Sequence, residues 1–300
     1  MTGLDVDQKI KVNLFLIGAQ KCGTTALFRL LAQHPQISAS SVKEPTHFID
    51  QEALTAVPQA SQKHWFDPDA YHALFTPDAD AKYYAEGTGW YGMPVFAEAV
   101  AHRIQAYNPD ARFIYVMRDP VERIISHYHM LYNHGQVTAP IREAVKQSPW
   151  LMSGSDYVSV IETYCSHFSK KKLKPVISER FRSDPVAVFA DVQDWLGLHR
   201  FTDPDLGSPQ DNNVTPDTIG ALRKVDIKSL NRWRRTKAWK AARNLAPAAA
   251  VRLGRRLLYS DVIDKDASDL DKFRQDLAPV LAEGVDRLRD LIDDPIPEWD

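Results

Sequence analysis

The amino-acid sequence predicts a single three-layer α/β domain with a mostly parallel central sheet of about five strands, flanked by helices. Apolar runs at residues 12–17 and 111–117 predict it, because each is followed by a loop and then by a segment of helical periodicity. The 300 residues, 44% of them hydrophobic, are enough for one large domain with an elaborated helical end. We expect an α/β core at 1–222, with an insertion at about 50–82, and a basic then acidic helical part at 223–300.

Charge and composition argue against several function classes. The formal net charge of −2 gives no global basic field, so we expect no nucleic-acid partner. No apolar run approaches the roughly 20 residues that span a bilayer, and residues 1–11 are too polar for a signal peptide, so a soluble, cytoplasmic protein is expected. Two cysteines, Cys22 and Cys165, are too few for a disulfide framework or a cysteine zinc site.

The first strand and helix are joined by a P-loop-like anion-binding loop. Gly18 and Gly23 bracket four residues as in the pattern G-x-x-x-x-G-K-[ST], where backbone N–H groups point at phosphate oxygens. Thr24 replaces the lysine of that pattern, and the only lysine in the loop is Lys21. With Thr24 and Thr25 donating hydroxyl hydrogen bonds, a lysine inside the loop makes a metal less necessary, which favours transfer of the less charged sulfuryl group. The alternative is an ordinary turn with a solvated lysine.

A candidate base follows the second predicted strand, residues 37–42. Glu44 lies in the run KEPTHF directly after that strand. Because ligands lie beyond the carboxyl ends of parallel strands, Glu44 can face the first loop and accept the proton of an attacking hydroxyl. From the residues alone, an exposed glutamate paired with Lys43 is the simpler interpretation.

A second anion site is predicted where the second apolar run ends. Asp119 is a natural N-cap, Pro120 fits the first helical position, and Glu122 completes a capping box. The strand therefore delivers Arg118 to the carboxyl edge of the sheet, and Ser126 follows about two turns along the helix. ATP carries all its phosphates at the 5′ position of the ribose and has no 3′-phosphate, so a protein that binds ATP would not need a second anion site. The alternative is a surface turn with the serine on the back of the helix.

The run GAQKCGTTAL at residues 18–27 resembles the 5′-phosphosulfate loop of sulfotransferases that use 3′-phosphoadenosine 5′-phosphosulfate (PAPS), in the bacterial branch similar to glycan (heparan-type) sulfotransferases. The resemblance implies that Arg118 and Ser126 bind the 3′-phosphate of PAPS, that 3′,5′-ADP is the product and that no metal is bound. It assigns the whole loop to PAPS binding: Gly18, Ala19, Gln20, Lys21, Cys22, Gly23, Thr24 and Thr25.

The same resemblance implies the catalytic residues and the acceptor. The family has a Lys-Glu pair followed by His-Phe, which makes Glu44 the base and leaves His47 to bind or orient the acceptor, with Lys21 at the transferred group. Gly87 stands where glycan enzymes have lysine, which weakens the case for a heavily sulfated polysaccharide. A carbohydrate or small alcohol acceptor is preferred by resemblance alone. A Mg²⁺-dependent P-loop kinase or NTPase and a non-catalytic nucleotide-binding protein are the alternatives.

The remaining patterns predict architectural elements. Helices are predicted over 95–107 and 138–149 and after residue 157, and a further strand over 175–178. Residues 211–215 resemble a family element that closes over the cofactor, to which we assign no ligand. Residues 223–256 are rich in arginine and lysine, and we expect them to pair with the acidic tail that follows.

Overall fold

Five parallel strands form the central sheet of the computed structural model. They are β1 (Leu14–Gly18), β2 (Ile37–Ala39), β3 (Tyr83–Gly87), β4 (Arg112–Met117) and β5 (Leu173–Ile177). The order is β2-β3-β1-β4-β5, so β1 lies in the middle between β3 and β4. This arrangement confirms the predicted α/β class. The structure describes residues 10–55, 64–133, 136–137, 139–206, 220–222, 259–261 and 265–300.

Helices flank the sheet. In chain order they are α1 (Thr24–Leu31), α2 (Gln51–Thr55), α3 (Pro68–His72), α4 (Pro94–Tyr107), α5 (Pro120–Asn133), α6 (Ile141–Gln147), α7 (Pro149–Ser153), α8 (Tyr157–His167), α9 (Ser178–Ser183), α10 (Pro185–Leu196) and α11 (Lys265–Ile292). Apart from the sheet, β6 (Gly220–Leu222) and β7 (Tyr259–Asp261) form an antiparallel pair. Within the described ranges, no helix combines the length and apolar character that a bilayer span requires.

Burial on both faces explains the composition of the central strands. β1 reads LFLIG, and Leu14, Phe15, Leu16 and Ile17 are at most 1% exposed. Phe15 stacks on Phe113 of the neighbouring strand β4, with ring centroids 5.8 Å apart. A strand covered on both faces needs apolar residues at successive positions rather than in alternation. The loops at the carboxyl edge of the sheet therefore start from a rigid core.

Gly92 is required by a close approach between the turn after β3 and the neighbouring strands. A methyl carbon at this position would lie 2.7 Å from the carbonyl oxygen of Ile17 and 2.7 Å from the ring of Tyr115. We expect Gly92→Ala to lower the free energy of unfolding by about 1–3 kcal/mol, because the turn must move off the sheet. Urea denaturation measures the change.

Gly284 provides the matched control for this substitution. It is exposed in α11, and a methyl carbon there meets nothing within 4 Å. Gly284→Ala should raise the free energy of unfolding by about 0.5–1 kcal/mol, because alanine loses less backbone entropy in a helix. Equal midpoints for the Gly92→Ala protein and the wild type would show that the turn has room for a side chain.

Two elements differ from the sequence prediction. The second strand ends at Ala39, three residues earlier than expected. The helix predicted over 138–149 is broken into α6 and α7, because Ser148 adopts φ −126° and ψ 84° ahead of Pro149. Proline disfavours the helical conformation of the residue before it, so the break follows directly from the sequence.

The predicted insertion at 50–82 contains the short helices α2 and α3. Tyr71 of α3 is fully buried, so α3 packs on the core. The segments 211–215 and 223–256 lie outside the described residues. The boundary near residue 222 and the pairing of the basic segment with the acidic tail therefore stay predictions.

Candidate active site

The loops that follow β1, β2, β3 and β4 meet at the carboxyl edge of the sheet. Parallel strands bring their carboxyl ends to one edge. Because β1 is the middle strand, its loop lies between the loops of β2 and β3 on one side and those of β4 and β5 on the other. The predicted loop residues, Glu44 and Arg118 all lie on connections at this edge.

The loop after β1 has the backbone geometry of an anion site. Gly18 (φ 144°), Lys21 (φ 70°) and Gly23 (φ 93°) have positive φ, which turns successive peptide groups toward one side. Gly23 is the N-cap of α1 and has no side chain to cap the helix. The N–H groups of Thr24 and Thr25 make no hydrogen bond to other described residues. They are free to bind an anion.

Lys21 is held in an electropositive, partly buried position. Burial, followed by the charges of Arg118 and Arg182, holds the pKa of the Lys21 ammonium below its usual range. In the described part of the chain, Lys21 makes no ion pair with a carboxylate. A desolvated cation that faces two others is stabilised most strongly by a bound anion.

Arg118 follows β4 and is only partly paired. Its guanidinium lies 3.6 Å from Glu122, and its side chain is 14% exposed. The buried Nε atom of Arg118 has no hydrogen-bond partner among the described residues. Glu122 is shared with Arg274, whose Nε lies 2.6 Å from it. The guanidinium therefore has donor capacity left for a ligand.

Ser126 lies on the side of α5 that Arg118 reaches. Glu122 contacts Arg118, and residues four apart share one helix face, so Ser126 continues the face that begins at Glu122. Ser126 is half-buried. Ser126 therefore lies on the helix face that Arg118 contacts, and the shared anion site of the two residues stays a prediction.

The predicted capping box at the start of α5 is only half correct. The Glu122 N–H donates to Asp119 Oδ1 at 2.8 Å, as expected. The Asp119 N–H, however, donates to Glu179 of α9 at 3.1 Å instead of to Glu122. Glu122 is turned toward Arg118 and Arg274, because ion pairing with two guanidinium groups outweighs one backbone cap.

Tyr157 of α8 connects the two anion sites, and sequence reasoning missed it. Its hydroxyl donates to the Arg118 carbonyl at 2.8 Å, accepts from the Arg118 N–H at 3.4 Å, and lies 3.9 Å from Cys22 Sγ. Burial raises the pKa of the Cys22 thiol to about 11, so Cys22 is a small packed residue of the loop. Nothing in the local sequence around Tyr157 signals this contact, which depends on how α8 packs.

Two further arginines add positive charge and were also missed. Arg123 is fully buried and donates to Ser155 Oγ at 2.5 Å and to the Leu151 carbonyl, with no carboxylate partner among the described residues. Burial lowers the pKa of Arg123. Arg182 of α9 lies near Arg118, and burial and that charge lower its pKa as well. Arg182 comes from a segment without an anion-binding motif, whereas Arg123 lies between the two predicted ligands Arg118 and Ser126 and was not singled out.

Glu44 lies beside the anion-binding loop. A methyl carbon at Gly89 would contact both Glu44 Oε1 at 3.6 Å and Gln20 Cγ at 3.4 Å, which places the carboxylate next to the loop residue Gln20. The Glu44 N–H donates to the Gly87 carbonyl at 2.8 Å, and Lys43 Nζ lies 2.9 Å from Glu44 Oε1. Glu44 is therefore paired with Lys43 and also lies beside the loop, and its role as base stays a prediction.

His47 belongs to an aromatic cluster. Its ring stacks on Tyr71 with centroids 4.0 Å apart and an interplanar angle of 5°, and its Nδ1 bonds the Trp65 carbonyl at 2.5 Å. Burial lowers the pKa of His47, so the ring is neutral at neutral pH. No hydrogen bond within the described residues connects His47 to Glu44.

Fold and site together define an α/β protein with an anion-binding loop, a second cationic site and a carboxylate on one sheet edge. Residues 13–203 match the model of the Sulfotransferase family. The chain belongs to the sulfotransferase family.

The curated relatives and a solved structure agree with this assignment. The chain is 31% identical over 207 residues to human heparan sulfate glucosamine 3-O-sulfotransferase 3A1, covering 66% of this chain and 47% of the relative. It is 24% identical over 221 residues to bifunctional heparan sulfate N-deacetylase/N-sulfotransferase 1 of Caenorhabditis briggsae, covering 66% and 24%. The chain thus spans about half or less of these relatives. A crystal structure of a sulfotransferase from Alicyclobacillus acidocaldarius has the same fold, with TM-score 0.65, 22% identity, and coverage of 97% and 99%.

Proposed function

We propose that the protein transfers a sulfuryl group from PAPS to an acceptor hydroxyl and releases 3′,5′-ADP. The observation that carries the proposal is that Lys21 and Arg118 follow adjacent strands, where burial and then the charge of Arg118 lower the pKa of Lys21. PAPS has a phosphosulfate at one end and a 3′-phosphate at the other, and two adjacent cations with spare donors fit a nucleotide with an anionic group at each end.

The residues of the site divide the work of an in-line transfer. PAPS supplies the activated sulfuryl group when bound. Lys21 and the N–H groups of Thr24 and Thr25 stabilise the charge that develops on the leaving phosphate. Arg118 and Ser126 hold the 3′-phosphate and so fix the position of the nucleotide. Glu44 accepts the proton of the acceptor hydroxyl as that oxygen attacks sulfur.

We infer that the acceptor is a carbohydrate or a small alcohol. The names of the curated relatives specify heparan sulfate, a carbohydrate, as their substrate. In this chain, residue 87 near the base is glycine, and a methyl carbon there would lie 2.8 Å from the ring of Phe28. Phe28 therefore leaves no room for a cationic side chain at position 87. This favours an acceptor with little negative charge at that place.

Calorimetry and a transfer assay test this function. Without metal and with EDTA present, 3′,5′-ADP should bind at least as well as it does with Mg²⁺. Labelled PAPS should then donate sulfate to one or more members of a panel of sugars and alcohols. Mg²⁺-dependent binding of ATP instead would identify a kinase or NTPase. Nucleotide binding without transfer to any acceptor would favour a non-catalytic nucleotide-binding protein.

Arg118→Met is expected to lower the affinity for 3′,5′-ADP about 10- to 100-fold, since a hydrogen bond to a charged group contributes roughly 1.5–3 kcal/mol. AMP lacks the 3′-phosphate, so its affinity should stay nearly unchanged. Calorimetry with both nucleotides measures the difference. The control is Arg142→Met, which removes an exposed arginine paired with Asp276. Equal losses for the two nucleotides would show that Arg118 does not bind the 3′-phosphate.

A further inference from the structure

Glu86, the penultimate residue of β3, is a fully buried carboxylate that is not among the predicted site residues. It is 1% exposed. Glu86 Oε2 accepts a hydrogen bond from the Tyr71 hydroxyl at 2.5 Å, and Oε1 accepts one from Thr88 Oγ1 at 2.7 Å. The Tyr91 hydroxyl lies near this carboxylate. In the described part of the chain Glu86 has no ion-pair partner, so the hydrogen bonds from Tyr71 and Thr88 balance its burial.

These hydroxyls connect Glu86 to the segment that carries the base. The Thr46 N–H donates to Thr88 Oγ1 at 3.5 Å, and the Phe48 N–H donates to the Tyr91 hydroxyl at 3.1 Å. The Thr88 hydroxyl donates its single proton to Glu86, so its lone pairs are left for the Thr46 N–H, and the two bonds strengthen each other. The Tyr91 hydroxyl, which lies near Glu86, accepts the bond from the Phe48 N–H.

The third hydroxyl reaches the same segment through a side chain. The Tyr71 ring, whose hydroxyl bonds Glu86, stacks on His47 at a centroid distance of 4.0 Å. Glu86 is thus linked to Thr46 through the Thr88 hydroxyl and to His47 through the Tyr71 ring, and the Tyr91 hydroxyl near it binds the Phe48 N–H.

The segment needs such support because its backbone is strained. Glu44 (φ 65°) and Thr46 (φ 58°) lie in the left-handed region, which side-chain-bearing residues rarely adopt. A conformation of this kind persists only where surrounding contacts hold it. Apart from the Glu44 bond to the Gly87 carbonyl, the backbone hydrogen bonds from residues 44–48 to β3 and its turn go to the hydroxyl of Thr88, which bonds Glu86, and to the hydroxyl of Tyr91, which lies near it.

We propose that Glu86 is a positioning residue of the transfer reaction, which holds residues 44–48 so that the Glu44 carboxylate stays beside the anion-binding loop. This inference rests on the proposed function in one respect, the role of Glu44 as base. Glu86 itself is fully enclosed and contacts no substrate.

The test uses three conservative variants of the full chain. Glu86→Gln keeps the shape but adds N–H donors, Thr88→Val removes one connecting hydroxyl, and Tyr91→Phe removes another. Glu143→Gln, at an exposed carboxylate on α6, is the matched control. Each variant is measured for amide hydrogen exchange of residues 44–48, for 3′,5′-ADP affinity, and for kcat and KM.

Glu86→Gln should speed exchange of the Thr46 and Phe48 amides and lower kcat about 10- to 100-fold, because small displacements of a catalytic group are costly. The affinity for 3′,5′-ADP should change by less than about twofold, since no donor-binding residue is touched. The variant Glu86→Gln/Thr88→Val should be no slower than the slower of its parents, because both substitutions break the same chain of bonds.

Several outcomes would overturn the proposal. Lower thermal stability of Glu86→Gln with normal kcat and normal exchange at 44–48 would make Glu86 a structural residue only. If Glu86→Gln does not fold, Thr88→Val and Tyr91→Phe decide, and normal exchange and kcat in both would refute the proposal. If the wild type transfers no sulfuryl group, the proposed function fails, while the exchange rates still decide whether Glu86 holds the segment.

Discussion

Lys21→Met is expected to lower kcat for sulfuryl transfer about 10²–10³-fold, the usual cost of removing one donor that stabilises transition-state charge. The side chain keeps its length and the backbone its positive φ, so the change removes little more than the ammonium group. Lys21 is the only cation within the loop itself. Steady-state kinetics with PAPS measures the loss, and Lys21→Ala should behave in the same way.

The same substitution should raise the melting temperature of the ligand-free protein. Burial and repulsion by Arg118 and Arg182 hold the pKa of Lys21 below its unfolded value, so the charged lysine destabilises the folded state. This cost is fully present below the folded pKa of Lys21 and disappears as pH rises through the folded and then the unfolded pKa of lysine. The advantage of Lys21→Met should therefore shrink toward alkaline pH.

Calorimetric melting of wild type, Lys21→Met and the control Lys146→Met, at an exposed lysine of α6, tests this expectation. A gain in stability together with a loss of turnover would separate catalysis from folding. If Lys21→Met instead melts at a lower temperature in proportion to its lost activity, the ammonium group has a structural role and the assignment to transition-state stabilisation is wrong.

Glu44→Gln is expected to lower kcat about 10²–10⁴-fold, the range for loss of a general base, while binding of 3′,5′-ADP stays nearly intact. The amide has the shape of the carboxylate but cannot accept the hydroxyl proton. The backbone bond from Glu44 to the Gly87 carbonyl does not depend on the side chain, so the segment keeps its position. Single-turnover rates and calorimetry measure the two effects.

Glu98→Gln is the control, since Glu98 is an exposed carboxylate that contacts only His167 among the described residues. Unchanged turnover in Glu44→Gln would move the base elsewhere. His47 would be tested first, because its Nδ1 bonds the Trp65 carbonyl and leaves Nε2 able to accept a proton.

Those parts of the site that lie on local motifs could be predicted from the sequence. The glycines around Lys21 fix a strand, a loop and a helix within fourteen residues, from Val12 to Thr25, so their geometry depends on nearby backbone only. The carboxyl ends of parallel strands meet at one edge of the sheet, so Glu44 after β2 and Arg118 after β4 are both expected beside the loop that follows β1.

The contacts that join these parts could not be predicted. Tyr157 reaches Arg118 across 39 residues of sequence, and Glu179 caps Asp119 across 60. Such pairs depend on how α8 and α9 pack, which periodicity and capping patterns do not specify. Glu86 is a similar case, because a glutamate in a strand is predicted to be exposed, and its burial depends on hydroxyl partners that the sequence does not identify.

The strand order has a practical consequence for changing what the protein acts on. The proposed phosphate-binding groups lie on the half of the sheet formed by β1, β4 and β5, whereas Glu44 and its supports come from the β2 and β3 half. We therefore expect libraries confined to the exposed residues 67–70 and 76–80, in the connection between β2 and β3, to leave the nucleotide half and the buried Tyr71 unchanged while acceptor selectivity is varied. Variants would first be selected for binding of 3′,5′-ADP and then for transfer to new acceptors, because the two properties depend on different halves of the sheet.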